Sequence, residues 1–407
     1  MMSSLKRSLY LSAIWCVFLF FFGSPIFNLR SNLQDHVSNI YSSLLFWDEG
    51  LEIYKQGPSH FLDLDTRPES IAWADRLGIP HDDILKKRNV ENPRPWILVW
   101  PWMPRPYPPG SALFFSPYGA MIEAGVSAYG VFALCVFTLL VFSHLTFFAM
   151  KDELKNHLEW EKNKSTKIFF ALLCLFIYQE LILWGLSGMY DVVAFFFLVQ
   201  SIIFILQRKW LWSISFYCFS FFLHYRALFW APVPVIAFIS WWQTYPDLRT
   251  RAHKITKGEK WMLSAAFLAA VTGLYTFALT YQSLQRDYLE MKNNPFFMIG
   301  FLPLKPDVFS GWLILVAVFC FMMYRRKEWL SIFCVFWLTF MMTRMPFVKS
   351  WYILFLLPLL LIPQKKYLSH YYWHLALYLY LGGSVFINSP FEFYLWHEII
   401  AAVGRYS

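Results

Sequence analysis

Charged residues are scarce. Asp, Glu, Lys and Arg make up 15% of the 407 residues, where soluble domains carry roughly a quarter. With 58% hydrophobic residues and a mean hydropathy of +0.42, that shortage excludes an ordinary soluble domain and indicates an integral membrane protein. Cysteine is also sparse. Cys16, Cys135, Cys174, Cys218, Cys320 and Cys334 all lie inside apolar runs, which excludes a disulfide framework and any Cys/His metal spacing. No internal repeat and no low-complexity tract is present. No small-x-small cleavage site follows the first apolar run, so that run reads as a retained anchor rather than a signal peptide.

What the chain has is membrane-length apolar sequence. Runs fall at 9–27, 124–150, 168–187, 191–206, 210–223, 227–242, 261–283, 309–324, 328–342, 350–363 and 367–388. Several are shorter than the ~20 residues a bilayer core requires, and 210–223 with 227–242 reads equally as one bent excursion. The expected fold is an all-α polytopic membrane protein of about eleven spans, a single domain over 1–407.

Basic residues set the expected orientation. Lys6 and Arg7 precede the first run, and alternate short loops carry further clusters, so that 19 of the 35 lysines and arginines lie on one side. By the positive-inside rule the N-terminus is cytoplasmic, and residues 28–111 and the C-terminal tail are extracytoplasmic. The net charge of +9 is explained by these clusters and implies no nucleic-acid partner.

The first outside loop, 28–111, is the one long hydrophilic segment. Within 40–56, Ile40, Leu44, Leu45, Leu51 and Tyr54 stand near helical spacing, as in an amphipathic helix lying along the membrane surface. Trp96, Trp100, Trp102, Tyr107, Phe114, Phe115 and Tyr118 form a headgroup-type aromatic belt. A second outside loop, 284–308, contains Phe296-Phe297-Met298-Ile299-Gly300-Phe301, and reads either as a lid over a lipid substrate or as a plain interfacial loop.

Chemistry concentrates at that face. Asp48 and Glu49, within Trp47-Asp48-Glu49-Gly50, are either solvated loop acids or a general base held at headgroup depth. Arg105-Pro106-Tyr107-Pro108-Pro109-Gly110 is a rigid turn that positions Tyr107 or simply leads the chain back into lipid. Asp191 suits a helix N-cap, or a supporting site acid. His224 and Arg226 lie where two short spans meet; an arginine there either snorkels to the interface or binds phosphate. Glu180, in the outer half of its run, is a candidate partner for Arg226. Arg344 and Lys349 sit together in a short outside turn, against the charge rule, as contacts for headgroups or for a lipid phosphate would.

On these residues the chain resembles the GT-C superfamily of integral-membrane glycosyltransferases. The likeness rests on the acid pair Asp48-Glu49 in the first external loop, the Tyr107-Pro108-Pro109-Gly110 turn, His224-Tyr225-Arg226 with Pro232, and Arg344 followed by Trp351-Tyr352 and Pro358. It covers most of the chain as topology. The turn is similar to that of polyprenyl-phosphate-mannose-dependent members. The resemblance implies inverting sugar transfer from a polyprenyl-phosphate donor to a glycolipid, glycan or protein acceptor, without metal or other cofactor. Asp48 or Glu49 would be the base. Arg226, Arg344, Lys349 and His224 would contact the donor phosphate, with Tyr107 and Asp191 positioning substrate. The chain departs from many members in having no large C-terminal external domain. The membrane would be the bacterial inner membrane or the endoplasmic reticulum. An O-antigen-type polymerase or ligase is the competing enzyme class, but its large loop usually lies late in the chain. A lipid-linked-sugar flippase would place more charge within the spans than Glu180 alone.

Overall fold

Inside a bilayer a single segment satisfies its own backbone N–H and C=O groups only as a helix. Every regular element among the described residues is accordingly helical. The structure, a computed structural model, describes residues 2–26, 40, 43, 46–47, 50–54, 108–157, 164–186, 189–244, 255–291, 306–325, 329–344, 350–362 and 372–380. In chain order these include α1 (Met2–Ile26), a 3-10 turn (Gly50–Tyr54), α2 (Pro109–Glu123), α3 (Ala128–His157), α4 (Lys164–Leu186) and α5 (Asp191–Leu206). There follow α6 (Trp210–Leu223), a 3-10 turn (Tyr225–Trp230), α7 (Pro232–Thr244), α8 (Lys257–Met291), α9 (Pro306–Arg325), α10 (Trp329–Arg344) and a 3-10 helix (Ser350–Leu360). Residues 372–380 are helical as well.

Among the described residues, three segments are long and apolar enough to cross a membrane: Gly130–Asn156, Lys164–Leu186 and Lys257–Thr280. Four shorter apolar helices accompany them, in α5, α6, α9 and α10. The 14 residues of α6 rise only about 21 Å, against a hydrocarbon core of about 30 Å. A helical membrane protein is the architecture. The expected runs 191–206 and 210–223 coincide with α5 and α6 from end to end.

α5 and α6 form a tight hairpin. Arg208 takes a left-handed conformation (φ 58°), and Lys209 N–H donates to Phe204 O at 2.8 Å, which closes the end of α5. Serines knit the two helices where hydroxyls replace lipid as partners. Ser201 Oγ donates to Ser213 O at 2.7 Å, and Ser220 Oγ to Ala194 O at 2.8 Å.

The 3-10 helix Ser350–Leu360 runs through the centre. Leu354 to Ile362 are all buried, as expected for a helix apolar on every side. At about 2 Å per residue its eleven residues extend about 22 Å, further than an α-helix of the same length. Phe195 of α5, His224 and Phe229 pack their rings around Phe355. Pro358 has no N–H to offer the carbonyl three residues before it, which is that of Phe355. Trp230 Nε1 supplies the missing donor at 2.7 Å.

α1 packs along α3 and is tied in by polar side chains. Trp15 Nε1 donates to the Tyr178 hydroxyl at 3.0 Å, which lies 3.2 Å from His144 Nε2. His144 Nδ1 lies 2.8 Å from Leu140 O, so it carries the ring proton and leaves Nε2 as the acceptor. Ser12 Oγ is 3.0 Å from the same Nδ1.

Three sequence expectations change. The aromatic belt around Phe114, Phe115 and Tyr118 belongs to α2, whose Ala112, Phe115, Tyr118 and Ile122 are buried in the bundle, because their helical spacing gives them one common face. Of the face expected in 40–56, Ile40 and Tyr54 are buried in the protein core and Leu51 is exposed, while Leu44 and Leu45 lie outside the described residues. The second loop is shorter than 284–308, since α8 continues to Met291 and α9 begins at Pro306. The Phe296–Phe301 stretch of the lid reading lies outside the described residues.

Candidate functional site

Two glycines bring three helices together. Pro109 occupies the first turn of α2, where its missing N–H costs nothing. Ser111 N and Oγ both bond Pro108 O at 2.9 Å. A Cβ on Gly110 would lie 2.6 Å from the carbonyl oxygen of Phe222, so α2 approaches the end of α6 closer than any side chain allows. Gly273 of α8 meets the ring of Phe221, where a Cβ would lie 3.0 Å away. The Tyr190 ring packs on Phe114 and Phe115, and its hydroxyl donates to Leu223 O at 3.2 Å.

That convergence fixes the residues immediately after α6. His224 is extended (φ −154°, ψ 127°), and its Nδ1 accepts the Arg226 backbone N–H at 3.1 Å. In the neutral ring the proton therefore sits on Nε2, which faces Asp191 Oδ1 at 3.3 Å. The Arg226 guanidinium pairs with the same carboxylate oxygen. Asp191 is 2% and His224 4% exposed, and the Arg226 side chain 12%. With one anion, one cation and a neutral imidazole, the cluster carries no net charge, and this is what makes so deep a burial tolerable.

The first loop reaches the same corner. Trp47 Nε1 donates to Ser116 Oγ of α2 at 2.6 Å. Gly50 takes a left-handed turn (φ 62°) with open space around it, so glycine is needed there for its backbone rather than for room. Phe46 packs edge-on to Tyr54, and the Gly50–Tyr54 turn lies against α8. Tyr54 is 2% exposed. Burial, then the neighbouring Tyr225, push its hydroxyl well above the usual tyrosine value. Tyr225 O–H donates to Thr276 Oγ1 at 3.0 Å. Burial pushes Tyr225 up to about 12, with the Thr276 and Thr280 hydroxyls working against the shift.

Of the expected site residues, His224, Arg226 and Asp191 come together in one cluster. Asp191 does not act as the helix cap. Tyr190 occupies that position without a side-chain bond, and the Asp191 carboxylate turns across to Arg226 and His224. Arg226 is paired with Asp191 rather than with Glu180, which stays buried on α4. Arg344 ends α10; its side chain, and Asp48, Glu49, Tyr107 and Lys349, lie outside the described residues. Among the described residues no three His, Cys, Asp or Glu side chains are grouped to hold a metal ion.

No family model, characterised protein or solved structure matches the chain.

Sequence reasoning missed Tyr54, Tyr225, Thr276 and Ser116. The signal for one of them was present: Thr272, Thr276 and Thr280 recur every fourth residue along one stripe of the membrane-length part of α8.

Proposed function

We propose that the protein is a GT-C-like, inverting glycosyltransferase that moves a sugar from a polyprenyl-phosphate donor to a glycolipid, glycan or protein acceptor at the extracytoplasmic membrane face. The observation that carries this reading is a convergence. Trp47 and the Gly50–Tyr54 turn, on either side of the acid pair, rest on α2 and α8, and Gly110, closing the same loop, meets Phe222 just before His224 and Arg226, which join Asp191.

In this reading the acceptor hydroxyl attacks the sugar C1 and the bond from C1 to the phosphate oxygen breaks. The phosphate leaves with the electron pair, and the acceptor proton passes to Asp48 or Glu49. Arg226, held on one side by Asp191, offers the rigid guanidinium fork suited to phosphate. Arg344 and Lys349 add charge where the leaving group becomes more anionic. Tyr107, which precedes Pro108 in the sequence, would be a substrate-positioning side chain. The chain would cross its membrane about eleven times, N-terminus cytoplasmic, in a bacterial inner membrane or the endoplasmic reticulum.

The test is sugar transfer in membrane vesicles supplied with polyprenyl-phosphate sugars. Asp48→Asn is expected to abolish transfer and retain donor binding, and Glu49→Gln to reduce it. Undiminished transfer by both variants sinks the reading.

A further inference from the structure

The turn that carries Arg226 is gripped from two sides by adjacent residues. Arg226 reaches α5 through Asp191, while Tyr225 reaches α8 through Thr276. The direction of the hydrogen bonds at α8 is determined. Thr276 Oγ1 donates to Thr272 O at 2.9 Å and also lies 3.1 Å from Gly273 O, so its proton is committed to the helix backbone. Its oxygen can only accept, and the Tyr225 O–H is the donor, with Thr280 beside that hydroxyl. Thr276 is 0% and Thr280 3% exposed, so the α8 side of the arrangement is closed to solvent. Tyr54 of the first loop is buried, and its turn rests on the same helix, α8.

We propose that Tyr54, Tyr225, Thr276 and Thr280 form a positioning latch, which fixes the first-loop turn Gly50–Tyr54 against the turn bearing Arg226. The turn and the arginine are then held in one register with respect to the substrate. The latch rests on the reading of Arg226 as a donor-phosphate contact. None of its four residues touches the reacting atoms. Their effect passes through the register of the loop on one side and of Arg226 on the other. An ordinary packing cluster would stabilise the fold without tying these two elements to each other.

Two measurements separate these cases. Hydrogen–deuterium exchange of the full-length protein in lipid nanodiscs reads the turn directly. Tyr225→Phe and Thr276→Val, each of which removes one partner of the bond, are expected to raise exchange across residues 50–54 about tenfold. Thr276→Ser, which keeps the hydroxyl, restores protection. Transfer kinetics with a polyprenyl-phosphate sugar read the consequence: kcat falls about tenfold in Tyr225→Phe and Thr276→Val, and returns in Thr276→Ser. Exchange at 50–54 within twofold of wild type in both variants overturns the latch. Raised exchange with unchanged kcat overturns its positioning role. If the wild-type protein transfers no sugar from any polyprenyl-phosphate donor, the enzymatic reading fails, and the exchange arm decides the latch by itself.

Discussion

The indole N–H of Trp230 donates to the carbonyl of Phe355 at 2.7 Å, bridging elements 125 residues apart in sequence. In a 3-10 helix that carbonyl belongs to the N–H of residue 358, and residue 358 is a proline. The bond thus compensates a defect written into the central helix. Trp230 is 1% and Phe355 0% exposed, so water does not substitute.

A compensating pair follows from this geometry. Trp230→Phe leaves the Phe355 carbonyl unsatisfied and is expected to cost about 1–3 kcal/mol. Pro358→Ala restores an N–H to the helix, so adding it to Trp230→Phe returns part of the loss. Thermal unfolding in detergent measures both, and a double variant no better than Trp230→Phe contradicts the account.

The pairing of Asp191 with Arg226 makes a second prediction. Either Asp191→Asn or Arg226→Gln removes one partner of a buried ion pair, which costs about 3–5 kcal/mol because a charge is left uncompensated. The double variant removes both charges, and its loss is expected to fall well short of the sum. Strict additivity in a denaturation cycle would show that the two side chains are not coupled.

Gly110 tests the approach of α2 to α6. Alanine there places a methyl group 2.6 Å from backbone at Phe222, where no flexible side chain can yield. Overpacking of this kind costs about 1–3 kcal/mol. Gly110→Ala is expected to lower the unfolding temperature and the rate of sugar transfer together. Gly258→Ala, in open space at the start of α8, is the control and leaves both unchanged.

The half-buried Tyr225 gives a pH prediction. Its folded value is pushed up to about 12, above the ordinary tyrosine value of about 10, so the fold holds the proton more tightly than the unfolded chain does. The associated stability is complete below about pH 10 and is lost as pH rises toward 12. Between those limits the wild type should lose more stability than Tyr225→Phe does. Parallel pH profiles of the two proteins would rule the effect out.

Much of the fold was legible because membrane helices announce themselves as apolar runs. The ends of α5 and α6 were read to the residue, since Asp191 and the Gln207-Arg208-Lys209 turn break the apolar pattern sharply. α2 was not legible as a helix. Its aromatics are the residue types that also collect at headgroups, and its opening prolines look like a loop. His224 and Arg226 were identified as a charged spot, whereas their tie to Asp191 depends on how the α5–α6 hairpin folds back. The roles of Tyr54 and Thr276 depend on contacts between elements more than 200 residues apart, which no local pattern encodes.

The tether of α1 bears on how the protein is made. Ser12 and Trp15 find His144 and Tyr178 on α3 and α4, helices synthesised more than a hundred residues later. Until these emerge, the first helix holds a hydroxyl and an indole N–H without their final partners. The helix made first is therefore among the last to have its polar side chains satisfied, since its ties wait for α3 and α4.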